Sequence, residues 1–227
     1  MMKNIIRWSA IAVSMLWLGS YGDCAASGRY LDDDLPGKHR FGFMGALTSG
    51  DVWMLEAEYH FMVCPYVGLG GSLGTWKQYM SEGYPSGSGW MVEDDDLRMS
   101  NVYLRPSLLL VSPSLFKIGD VGVGVMAEPG VMMNIPYKCV SIDLHEHGIT
   151  TDYTTRSSSK GQWCAVDCRA GVNITVGPVN ITAGYLISNF DIYGIARNIE
   201  YQGVKFDQFY PRKRSMQGAF LSLTCKM

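Results

Sequence analysis

The segment VWMLEAEYHFM, residues 52–62, alternates with a period of two. Trp53, Leu55, Ala57, Tyr59 and Phe61 fall on one face of an extended chain, and Met54, Glu56, Glu58 and His60 on the other. A helix, with roughly 3.6 residues per turn, would wind both sets around all of its sides. Only a strand separates them. The apolar row must then meet a protein core or lipid, and three ionisable side chains must be accommodated on the other face.

The same period recurs from Arg40 to the last residue. In RFGFMGAL (40–47), Phe41, Phe43, Gly45 and Leu47 oppose Gly42, Met44 and Ala46. Equivalent alternation marks 67–79, 101–110, 121–134, 163–176, 179–189 and 217–227, making eight predicted strands of about ten residues each. Strands in soluble domains typically run about 5–6 residues, whereas bilayer-spanning strands need about 9–11. The lengths favour a membrane.

The connections give an independent test. Long polar segments cover 80–100, 136–162 and 191–216 and form the third, fifth and seventh links. The second and sixth links are tight, the sixth being the dipeptide Gly177-Pro178, and the fourth is intermediate. An up-and-down meander places odd links at one end and even links at the other. Outer-membrane barrels show that asymmetry, with long loops outside and short periplasmic turns. The first link, TSGD, is short for an external loop.

Alternation alone does not say which face is inside: a soluble sandwich packs its apolar row inward, and a membrane barrel turns it to lipid. The polar face here is rich in Gly and Ser, as a narrow barrel interior requires. It also carries both signs of charge, Glu56, Glu58, Glu128 and Asp167 against Arg105 and Arg169. Trp53, Tyr59, Phe61, Trp163 and Phe190 lie near strand ends and suit interfacial belts. The expected fold class is therefore all-β, an eight-stranded antiparallel up-and-down transmembrane β-barrel.

In strand count, alternation and loop asymmetry, residues 40–227 resemble the small eight-stranded outer-membrane barrels of the OmpA/OmpX type, of the kind Bacteroidales carry in many divergent copies. The resemblance implies an integral outer-membrane protein and rests on pattern, without a diagnostic short motif. Such barrels usually end in an aromatic residue, whereas Met227 stands last here, still on the lipid-facing register. Pro106 and Pro129 each remove a ladder donor inside a strand, so a bulge is expected near Glu128-Pro129-Gly130.

The first residues read as an export signal. Lys3 and Arg7 precede the apolar core AIAVSMLWLG (10–19), and Cys24 and Ala26 suit a cleavage site after Ala26. The expected organisation is a signal peptide at 1–26, a periplasmic lead-in at 27–39 and the barrel at 40–227. Lipid attachment at Cys24 is the less favoured alternative, because Tyr21 and Asp23 occupy positions where small or aliphatic residues belong.

A barrel this narrow is filled by side chains, so Glu56, Glu58, His60, Arg105, Glu128, Asp167 and Arg169 are expected to form a buried network that neutralises itself and fixes strand register. Cys139 and Cys164 flank the second long segment and make a possible disulfide across its base. DLHEHG (143–148) and EDDD (93–96) read as solvated loop rather than metal sites, for want of further ligands at recognisable spacing. No cofactor motif and no Ser/His pair stands out, and His60 points inward, so no enzyme is expected. A net charge of −2 gives no case for nucleic acid. The loop sequences YPSGSGW, TTDYTTRSSSK and KFDQFYPRKR carry aromatic and charged residues expected to be exposed. The expected role is structural or adhesive, with outer-membrane lipid as one partner and a host or cell-surface ligand met through these loops. A small transporter or channel using the inner charge network, or a soluble periplasmic lipocalin-like carrier, are the alternatives.

Overall fold

The computed structural model describes residues 38–78, 84–99, 101–146, 148–212 and 215–227; the expected signal peptide and nearly all of the lead-in lie outside them. Eight long strands make the barrel: β1 (His39–Thr48), β2 (Val52–Cys64), β3 (Val67–Gln78), β6 (Val102–Val111), β8 (Val121–Asn134), β11 (Cys164–Val176), β12 (Val179–Ser188) and β15 (Met216–Lys226). Each pairs antiparallel with the next, and β15 pairs back on β1 from Arg40↔Lys226 to Thr48↔Gly218, which closes the sheet. His39 and Met227 complete the seam, each donating its N–H to the other's carbonyl, at 3.2 and 2.8 Å. Closure leaves no barrel strand with a free edge.

The faces follow the alternation. Along β2, Met54, Glu56, Glu58, His60 and Met62 are buried while Leu55, Ala57, Tyr59, Phe61 and Val63 are exposed. Phe43, Leu73, Val166 and Leu221 continue the exposed apolar belt on other strands. A lipocalin-like packing would turn this row inward; the observed barrel turns it outward, as lipid requires.

Neither proline produces a bulge. The β8–β11 ladder runs in one register from Met133↔Cys164 to Val121↔Val176, straight through Pro129↔Cys168. The β6–β8 ladder keeps the same register on both sides of Pro106 and Pro129, from Tyr103↔Asn134 to Val111↔Met126, and only thins between them. Both prolines face outward. Missing donors are tolerated because neighbouring pairs and an arginine from within the lumen hold the strands together. Among the described barrel pairings, a register shift lies between Met62 and Cys64, at the tight turn into β3.

The long segments are more ordered than their polarity suggested. β4 (Ser86–Gly87), β5 (Trp90–Met99), β9 (Lys138–Glu146) and β10 (Ile149–Ser158) form a second antiparallel sheet, so the acidic run 93–96 lies in a strand and not in a loop. The seventh link contributes two short 3₁₀ turns and the hairpin of β13 (Glu200–Tyr201) and β14 (Val204–Lys205). Gln202 and Gly203 both have positive φ, 48° and 77°, as a two-residue hairpin turn requires. In the fourth link, β7 (Phe116–Ile118) folds back on β8.

These segments share an apolar core. Trp90 lies 5.2 Å edge-on from Tyr201 and 5.8 Å stacked on Phe206, with Val140 and Ile142 fully buried beside them. Trp90, Phe206 and Tyr210, expected as exposed anchors, are instead this cap's interior; Tyr84 and Tyr153 of the same sequences are exposed. Phe190, expected in an interfacial belt, is buried 5.5 Å from Trp76 and joins the cap core to the barrel interior. For Trp90 and Phe206 the cause is one packing: the third and seventh links stack these rings on each other, with Val140 and Ile142 of the fifth in the same core.

Candidate functional site

The barrel interior is layered. Next to the cap, inward-facing Met44, Met54, Trp76, Tyr103, Met132 and Leu186 form an apolar plug. This layer departs from the polar interior expected throughout. Its sign in the sequence is parity: Trp76 falls on the same face as Gly68, Gly70, Ser72 and Gly74.

Below the plug the structure gathers the seven ionisable residues singled out above. Alternate positions on β2, β6, β8 and β11 aim them at one another across the lumen. Arg105 donates from Nε to Asp167 at 2.6 Å, pairs through Nη1 with the Glu128 carboxylate, and donates from Nη2 to the Glu128 backbone carbonyl at 3.0 Å. Arg169 donates to Glu58 at 2.8 Å and to Glu56, and stands 3.9 Å from Glu128. Tyr103 and Ser72 both donate to Glu56, and Ser222 donates to Glu58 at 2.9 Å. Each buried ion costs several kcal/mol to desolvate, and hydrogen bonds of this density offset that cost.

Charge counting brings in an eighth member that the sequence reading missed. Four carboxylates face two guanidiniums, which leaves two negative charges when His60 is neutral. Arg40, 5% exposed, lies toward the short-turn end and lines a cavity of about 20 Å³ with Glu58, His60 and Glu128. That volume suits about one water molecule. Arg40 Nε is buried without a hydrogen-bond partner. The signal was available: Arg40 shares the inward parity of Gly42 and Met44.

A Ser/His pair does occur, contrary to expectation. His60 Nε2 lies 3.0 Å from Ser107 Oγ, and the same nitrogen lies 3.4 Å from Glu128. A catalytic relay uses one ring nitrogen for the nucleophile and the other for the orienting carboxylate. Here both contacts fall on one nitrogen, inside a packed lumen, and the arrangement binds strands instead of activating a hydroxyl.

Cys139 and Cys164 are free thiols, so the bridge expected across the second long segment is not formed. Cys139 is buried in β9 between Ser157 of β10 and Arg98 of β5, while Cys164 is exposed where β11 enters the barrel. Sheet formation holds that segment instead. Asp143, His145 and Glu146 lie along β9, and among the described residues no three metal-ligand side chains converge. His147 lies outside the described residues.

No protein-family profile matches the chain, and no curated protein matches it in sequence. Among solved structures it is similar to the N-terminal barrel domain of OprF from Pseudomonas aeruginosa, at 8% identity and TM-score 0.43, covering 85% of this chain and 100% of that one. It is similar to Neisserial surface protein A at 11% identity and TM-score 0.42, covering 83% and 96%. It is also similar to a major outer membrane protein of Thermus thermophilus at 14% identity and TM-score 0.44, covering 83% and 99%.

Proposed function

We propose that this chain is an integral outer-membrane barrel whose filled interior serves as a rigid post and whose folded cap is a binding surface with an adhesive role. The observation that carries the reading is the pairing of an outward apolar belt with a closed, ion-paired lumen. Phe43, Leu55, Leu73, Val166, Ile187 and Leu221 are each more than half exposed, which suits lipid and not water. The long-link end then faces outward and the tight turns face the periplasm. Transport finds less support, because the plug and the network occupy the lumen in succession along its axis.

Two measurements test the reading. A shift in gel mobility between boiled and unboiled protein, in the outer-membrane fraction, is the expected result for a closed barrel. Cells carrying a variant with the cap segments shortened to tight turns should keep that shift and lose adherence to immobilised mucin and matrix proteins. Adherence that survives with the cap gone removes the adhesive role, and a soluble protein without the shift removes the membrane.

A further inference from the structure

We propose that a cationic cleft at the foot of the cap binds the phosphate groups of a phosphorylated saccharide, in the first place those of the outer-leaflet lipid headgroups. This deepens the reading above and rests on its membrane orientation. The cleft is open to solvent and has a volume of about 630 Å³, within the roughly 300–1,000 Å³ range of small-ligand sites. Lys160, Lys205 and Arg212 line it, are exposed, and hold no ion pair among the described residues. One uncommitted carboxylate, Asp207, accompanies them, so the unpaired charge in the cleft is positive.

The walls are built, not draped. Arg197 pairs with Asp191 and donates to the Pro211 carbonyl at 2.8 Å, tying together the two ends of the seventh link. Asn198 donates to the carbonyls of Lys160 at 2.8 Å and Gly194 at 2.7 Å, and the Asp191 N–H donates to Gln162 at 2.9 Å. Arg197 and Asn198 are thereby consumed in fixing the backbone. The two lysines and Arg212 are left to face the opening, two point charges and a fork suited to phosphate oxygens.

Position selects the ligand. Gln162 comes two residues before β11 begins, and Asp191 three after β12 ends. On the outer face at this rim stand Trp163, Val166 and Ile187, 57, 61 and 55% exposed, at the upper edge of the apolar belt. The cleft therefore opens at the level where lipid headgroups carry their phosphates, and a guanidinium and two ammonium groups there meet anions at close range.

The test uses full-length protein, its folding verified by the boiling shift, reconstituted in nanodiscs containing bisphosphorylated lipid A or the same lipid stripped of phosphate. Glucose 1,6-bisphosphate is the soluble probe. Wild type should retain the phosphorylated lipid and not the stripped one, with affinity falling steeply as salt rises. Replacing the three cations together (Lys160→Glu, Lys205→Glu, Arg212→Glu) should weaken retention by more than about tenfold. The neutral set (Lys160→Gln, Lys205→Gln, Arg212→Gln) should fall between, and Lys117→Glu, in β7, should change nothing. Retention of lipid A without competition from the bisphosphate assigns the site to a headgroup; full competition assigns it to a soluble phosphosaccharide. Equal retention of phosphorylated and stripped lipid, or wild-type affinity in the triple variants, overturns the proposal. Failure of the protein to enter the nanodisc would instead overturn the membrane reading on which it rests.

Discussion

Arg105 meets Glu128 twice, once through the carboxylate and once through the backbone carbonyl, which accepts from Nη2 at 3.0 Å. The carbonyl belongs to the residue just before Pro129, where the β6–β8 ladder is thin. One guanidinium from β6 thus holds β8 at the point where proline has removed a main-chain donor. The register on either side of Pro129 is unchanged.

Replacing Arg105 by Ala should therefore be among the most disruptive single changes in the barrel. It strands Glu128 and Asp167 as buried charges, a loss of about 3–5 kcal/mol. The temperature at which the unboiled gel band converts to the boiled form should drop markedly. Arg105→Met combined with Glu128→Gln and Asp167→Asn should recover part of that loss, since no uncompensated charge remains.

Gly130 sits against the same cluster. A Cβ there would lie 2.8 Å from Arg105 Cζ and from Asp167 Oδ1, too close for either to stay in place. Gly130→Val should destabilise the barrel by about 1–3 kcal/mol, and Gly130→Ala by less. Denaturant midpoints followed by tryptophan fluorescence would check the order.

The plug and the ion pairs together predict a non-conducting barrel. Purified protein in planar bilayers should give no steady conductance step. Trp76→Ala with Phe190→Ala removes two rings that stand 5.5 Å apart between lumen and cap, and should leave the bilayer silent because the charge network below is intact. Steady ion current through wild type would contradict the filled lumen.

The cap has its own core, so it should fail separately from the barrel. Phe206 is fully buried and stacks on Trp90. Phe206→Ala removes a ring worth about 3–5 kcal/mol in a packed site. Limited proteolysis should then cut within the long links while the boiling shift of the barrel persists.

Thiol accessibility reads the corrected disulfide directly. Cys164 is exposed and Cys139 buried. A water-soluble maleimide should label Cys164 in folded protein without prior reduction, and Cys139 only after denaturation. Labelling of Cys164 that requires a reductant would reinstate the bridge.

The sequence by itself determined the strands, their faces and the asymmetry of the links. Those properties are local: a period of two assigns each side chain to a face whatever the strand's neighbours, and link length is simple counting. β2, β8 and β12 accordingly lie where the alternation places them. What only the tertiary structure decided is which residues meet. Arg105 finds Asp167 and Glu128, and Arg169 finds Glu56 and Glu58, because strand stagger sets the height of each side chain across the lumen, and alternation carries no information about height. Arg40 joins them through its level in the barrel, having only its parity to announce it. The cap was least legible. Trp90 and Phe206 come from separate links whose polar composition conceals a shared core, and neither can bury its ring until the other is in place.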